Sequence, residues 1–172
     1  MQRKLRPGVL IIVDAQKGFI TGASEHLLRP LAAVQHEFEQ VVFGKFLNPD
    51  PSPFRRILDY HKLAPGSKDT ELALTPRHDA LLVEHSTYSC LTRELRQYLK
   101  GIGAREVHVC GIATEACVLK TAIDLFEADI RPRIIRELCA SDQDVYYHDA
   151  GLALLTKLIG RDCIVERQMR AA

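Results

Sequence analysis

Cys110-Gly-Ile-Ala-Thr-Glu-Ala-Cys117-Val-Leu-Lys-Thr-Ala-Ile-Asp124 reads as the end of a buried strand, a sharp turn and the opening of a helix. Val107, Val109 and Cys110 form the apolar run, and Gly111 breaks it. Thr114 is expected to cap the helix with its hydroxyl, because Thr is a favoured N-cap residue. That reading puts Cys117 near the third helical position, where backbone N–H groups lack intrahelical partners. A thiol there faces the positive end of the helix dipole, which predicts a lowered pKa and a nucleophilic thiolate. The same amides are placed to hold an oxyanion if the sulfur attacks a carbonyl.

Outward from this stretch, apolar runs alternate with helical spacing. Val9 to Val13 is a continuous, largely β-branched run ending at Asp14, as in a strand buried on both faces. Further strands are expected at Gln40–Phe43, Ala80–Glu84, Glu106–Cys110, Arg133–Arg136 and Cys163–Val165. Helices are expected over Ala23–Phe38, interrupted or restarted at Pro30, and over Leu91–Leu99, Glu115–Ala128 and Tyr146–Ile159. The long segment from Gly44 to Arg77 is rich in Pro, Asp and Ser, with a short helix predicted over Pro53–Tyr60; connections of this length are more often functional than idle. The alternation predicts an α/β fold, a Rossmann-like three-layer α/β/α arrangement around a six-stranded, mainly parallel sheet, with residues 1–172 forming one domain. Ligands bind such sheets beyond the carboxyl ends of the strands. Asp14, the segment after Glu84 and Gly111–Cys117 all fall at such ends.

Bulk properties exclude several classes. The 172 residues carry a net charge of +1, so no strong field favours nucleic acid or an anionic membrane. No apolar run approaches a membrane span, and Val9–Val13 is too short for a signal-peptide core. Five cysteines without C-x-x-C spacing point to free thiols in a reducing cytoplasm rather than to a disulfide framework.

Three motifs together resemble the isochorismatase-like cysteine hydrolases over nearly the whole chain. They are V-x-I-I-V-D-x-Q (Val9 to Gln16, with Phe19 behind it), V-E-x-x-x-Y-S (Val83 to Ser89) and C-G-x-x-T-x-x-C-V-x-x-T-A-x-D (Cys110 to Asp124). The third is highly specific, and the first alone is weak. The resemblance implies an Asp–Lys–Cys triad beside a non-proline cis peptide. Asp14 matches the general base and Cys117 the nucleophile. The Ile112–Ala113 bond matches the cis peptide, with the Ala113 and Cys117 amides directed at the oxyanion. Gln16, Phe19 and Tyr88 match pocket positions.

Two departures stand out. The family lysine should follow Glu84, where this chain has His85. Histidine carries charge only part of the time near neutral pH, although neighbouring anions raise its pKa. His85 is thus either a replacement for the lysine or a polar strand-end residue without chemistry. Lys45, after the second strand, is the other available cation. Nicotinamidases of the family carry an Asp-x-His pair after the second strand, but Phe43 to Asp50 holds no histidine. No metal and no other cofactor are therefore expected.

The function expected from these features is cysteine-dependent hydrolysis of a small amide or related C–N bond through a thioester. The alternative is a weakened or non-catalytic binding protein on the same fold. The expected partner is a small-molecule substrate, with no nucleic acid and no membrane. The resemblance also implies a homo-oligomer, dimer or tetramer.

Overall fold

The computed structural model describes residues 8–166. Six strands form one sheet in which every strand pair is parallel: β1 (Val9–Val13), β2 (Gln40–Phe46), β3 (Leu81–His85), β4 (Glu106–Ile112), β5 (Arg131–Ala140) and β6 (Ile164–Val165). Their spatial order is β3-β2-β1-β4-β5-β6. All five residues of β1 are buried, so helices cover both faces of the sheet. Burial of each such aliphatic side chain stabilises the fold by about 1.5–3 kcal/mol.

The helices are α1 (Leu28–Val34), α2 (Pro53–Leu58), α3 (Arg93–Gly101), α4 (Leu119–Glu127) and α5 (Val145–Ile159). Local chemistry sets several of their starts. The side chains of Ser52, Thr92 and Asp144 accept hydrogen bonds from the backbone N–H groups of Arg55, Leu95 and Tyr147 and cap α2, α3 and α5. Pro53 occupies the first turn of α2, where its missing N–H is harmless. Among the described residues, no helix is long and apolar enough to cross a membrane.

Three expectations needed correction. The helix predicted over Ala23–Phe38 is a 3-10 turn at Glu25–Leu27 followed by the short α1. β5 runs for ten residues rather than four, and its register with β4 shifts along the way: Val109 pairs with Ile134 but Gly111 with Cys139. A slipped stretch of this kind breaks the regular apolar pattern by which strands are recognised. Gly111 does not end β4, which continues to Ile112. Its φ of 117° and the close β1 backbone explain the glycine: a Cβ there would lie 2.1 Å from the Val13 carbonyl oxygen.

The strand order turns around between β1 and β4, which lie side by side while their neighbours run outward in opposite directions. That is the topological switch point, where the connections leave on opposite faces and open a crevice at the carboxyl ends. Asp14 follows β1 there, and the turn carrying Cys117 follows β4.

Candidate active site

Asp14 begins the site with an unusual backbone. Its φ is 48°, in the left-handed region, which non-glycine residues adopt at a cost of about 1–3 kcal/mol. The neighbouring chain holds it there: its N–H donates to the Gly44 carbonyl, and its own carbonyl accepts from Gln16 N–H at 2.7 Å. The side chain is fully buried. Gly44 leaves room for it, since a Cβ at that position would lie 3.4 Å from Asp14 Oδ1 and 3.2 Å from Cys90 Cβ.

His85, the last residue of β3, reaches this carboxylate across 71 positions of sequence. Its Nε2 lies 2.7 Å from Asp14 Oδ1 and its Nδ1 lies 2.8 Å from the Thr87 carbonyl. A carbonyl oxygen only accepts, so Nδ1 carries a proton. The opposite nitrogen faces a carboxylate, which also accepts. Burial of the ring opposes its charge, but the Asp14 carboxylate and the two hydrogen bonds outweigh burial and raise the His85 pKa. The pair therefore favours an imidazolium clamped to a carboxylate. Lys45 is not brought to this point. Its ammonium pairs with Glu84 Oε1 at 3.1 Å on the partly exposed face of the sheet.

Cys117 lies in a turn that departs from the expected helix start. Thr114–Val118 form a single π-helical turn, and Ala113, not Thr114, precedes it. The Ile112–Ala113 peptide bond is cis. The Ala113 carbonyl accepts from both Ala116 N–H and Val118 N–H. Thr114 does not cap the turn, because its Oγ1 is 2.7 Å from His148 Nδ1 on α5. The thiol pKa is also opposite to expectation. Burial, followed by the Asp14 charge, pushes Cys117 well above the ordinary cysteine value, overriding the helix dipole. The Cys117 thiol is thus neutral near pH 7. Asp14 Oδ2 is buried without a hydrogen-bond partner among the described residues, while the carboxylate stands close enough to the thiol to raise its pKa. We read the two groups as within reach of each other but short of an aligned hydrogen bond.

The remaining sequence candidates divide. Gln16 is fully buried, and its amide is consumed by backbone: Nε2 donates to Phe46 O and Thr70 O, and Oε1 accepts from Phe46 N–H at 2.7 Å. It braces the end of β2 under the site. Phe19 is half-buried against Phe46, whose ring packs in turn against His85 and Phe54. Tyr88 is 45% exposed and stands edge-on to Phe54. These rings form an aromatic wall from His85 to the surface. The Gly44–Arg77 segment thus packs against the site, with Phe46, Phe54 and Leu63 as its own small core.

Two neighbours of Cys117 escaped the sequence reading. Tyr60, just past α2, has its phenol pushed up to about 12 by burial, then by the charges of Asp142, Asp69 and Cys117. Asp142, two residues beyond β5, is also raised by burial and acts on Cys117 by charge. Its place after a strand end was the available signal; Tyr60 had none. Cys90 is buried core beside the Asp14 carboxylate, and burial pushes its thiol to about 12. Lys120 pairs with Asp124 along α4, and the Arg55 guanidinium donates to the Asn48 carbonyl. Among the described residues, no group of three or more His, Cys, Asp or Glu is placed to hold a metal ion. A cleft of about 430 Å³ lies at the opposite, amino end of the sheet, lined in part by Val9, Gln40, Gly103 and His108; it contains none of the residues above.

The class defined here is a parallel α/β domain with a buried Cys–Asp–His cluster at its switch point. The chain belongs to the Isochorismatase domain family, which matches residues 8–162. Isochorismatase domain-containing protein 2 of Xenopus laevis is 33% identical over 61 residues, a stretch spanning 35% of this chain and 30% of that relative. Among solved structures, N-carbamoylsarcosine amidase of Thermoplasma acidophilum superposes with a TM-score of 0.79 at 20% identity, covering 96% of this chain and 98% of the other. Pyrazinamidase of Pyrococcus horikoshii, solved in complex with zinc, gives 0.79 at 20% identity, covering 94% and 99%. At these identities the likeness shows the fold, and the neighbours named are hydrolases.

Proposed function

We propose that this protein is a cysteine-dependent hydrolase of a small amide or related C–N bond. The observation that carries the reading is the Asp14 carboxylate at the switch point, held through Oδ1 by His85, with Oδ2 buried and unpartnered among the described residues and the carboxylate acting on the Cys117 thiol. His85 stands in for the family lysine: it supplies the positive charge beside Asp14. Because the thiol is neutral at rest, deprotonation accompanies attack rather than preceding it. Asp14 Oδ2 takes the Sγ proton as sulfur bonds to the carbonyl carbon. The Ala113 and Cys117 amides receive the developing oxyanion. The tetrahedral adduct collapses with cleavage of the C–N bond, and Asp14 returns the proton to the leaving amine. Water, deprotonated by Asp14, then attacks the thioester and releases the acid. The hydrolase neighbours and the family membership support this reading.

The experiment offers p-nitrophenyl acetate and a panel of small primary amides. The expected result is release of p-nitrophenolate with acetyl on Cys117 by mass spectrometry, and ammonia from at least one amide. Cys117→Ser should abolish both. A wild-type protein that is neither acetylated nor active on any amide overturns the proposal and leaves the non-catalytic reading, which the high thiol pKa favours.

A further inference from the structure

The turn that carries Cys117 is held by an element outside the three motifs. Gly151, in the middle of α5, lies against the turn so closely that a Cβ on it would meet Glu115 Cα and N at 2.8 Å and Thr114 C at 3.0 Å. Those are backbone atoms, which cannot rotate away as a flexible side chain can. Three residues earlier on the same helix face, His148 Nδ1 lies 2.7 Å from Thr114 Oγ1, and Thr114 is completely buried. A third contact comes from the end of β5, where Ser141 Oγ donates to Glu115 Oε1 at 2.7 Å. The cis Ile112–Ala113 bond and Cys117 bracket this pinned segment.

We propose that α5 is the positioning element of the oxyanion turn, with Gly151 setting how close it sits and His148 fixing it through the Thr114 hydroxyl. The inference rests on the function proposed above. His148 and Gly151 touch no reacting atom; they act through Thr114 and Glu115, which place the Ala113 and Cys117 amides. Burial, helped by the charges of Arg136 and His26 and opposed by Asp149, lowers the His148 pKa, so the ring is neutral at pH 7. A neutral ring can pair with the hydroxyl as donor or acceptor without placing a charge against the turn.

The test exploits two reactions of one sulfur. With p-nitrophenyl acetate, Cys117 forms an S–C bond at the acyl carbon, p-nitrophenolate leaves as the C–O bond breaks, and the thiol proton passes to Asp14. This path needs the oxyanion amides. Iodoacetamide alkylates the same sulfur by displacement of iodide, forming no oxyanion at a carbonyl carbon. Gly151→Ala and His148→Leu should slow p-nitrophenolate release about tenfold or more, as misplacement of a catalytic group does. Alkylation of Cys117 by iodoacetamide should change little in the same variants. His148→Asn, which keeps a polar atom near the Nδ1 position, should restore most of the lost rate, and Thr114→Val should reproduce the effect of His148→Leu. Should Gly151→Ala not fold, the His148 and Thr114 variants carry the test. Equal loss of both reactions means a general structural role and overturns the inference, as does an unchanged acylation rate. A wild-type protein that is alkylated but never acylated overturns the proposed function itself, and the inference with it.

Discussion

His85→Leu is the sharpest perturbation of the site. It removes the cation from a pair whose members are almost entirely withdrawn from water, with side-chain exposures of 1% for His85 and 0% for Asp14. Breaking a buried pair by removing one partner typically costs about 3–5 kcal/mol, because the remaining charge stays desolvated. For a domain whose total stability is of order 5–15 kcal/mol, that is a large share. At about 2–4 °C per kcal/mol for a chain of this size, the midpoint should drop by about 6–20 °C. The sign with pH follows from the raised His85 pKa. Its contribution is complete below the unfolded value near about 6.5 and is lost as pH rises through the folded value. The difference between wild type and variant should therefore be largest in mildly acidic solution and shrink toward alkaline pH. Urea unfolding at several pH values measures this directly. The double variant with Asp14→Asn should lose less than the sum of the single losses, by at least about 1 kcal/mol. A His85→Leu loss below about 1 kcal/mol, independent of pH, would refute the clamped-pair reasoning.

Other consequences can be checked separately. Since burial and Asp14 raise the Cys117 pKa, its alkylation by iodoacetamide at pH 7 should be slower than that of a free cysteine, and should still be rising above pH 9; a plateau near neutrality would restore the thiolate expected from the helix dipole. Gly111→Ala should prevent stable folding, because the new Cβ would fall 2.1 Å from Val13 O at a positive φ; soluble protein with a wild-type melting curve would contradict the packing of β4 on β1. Gln16→Leu should destabilise by about 2–4 kcal/mol in urea, since it leaves the Phe46 N–H and the Phe46 and Thr70 carbonyls without their amide partner; a change confined to substrate binding would assign Gln16 to the pocket instead.

Much of the site was legible in one dimension. The β-branched run ending at Asp14 and the Gly111-to-Cys117 turn lie at strand ends, and the alternating pattern requires those ends to share one edge of a parallel sheet. The substitution at position 85 was visible from its place after Glu84. What stayed hidden depended on partners far along the chain. Nothing near Gln16 says that its amide is matched to the backbone of Phe46 and Thr70. Nothing near Tyr60 says that it packs on the Phe46, Phe54 and Leu63 cluster within electrostatic range of Cys117. Thr114 looked like a cap because capping is a local preference, and the nearby His148 ring drew its hydroxyl away.

The sequence by itself determined the element types, the parallel sheet and the identities of Asp14, His85 and Cys117 as the residues to watch. Residue type and period encode local conformation and the side of an element that is buried. Only the tertiary structure decided which residues meet. It set β1 beside β4, brought His85 rather than Lys45 to Asp14, and pressed Gly151 against the turn. It also reversed the expected state of Cys117. A helix start favours a thiolate wherever it stands, but desolvation and a neighbouring carboxylate exist only once the chain has closed around them, and in this fold they prevail.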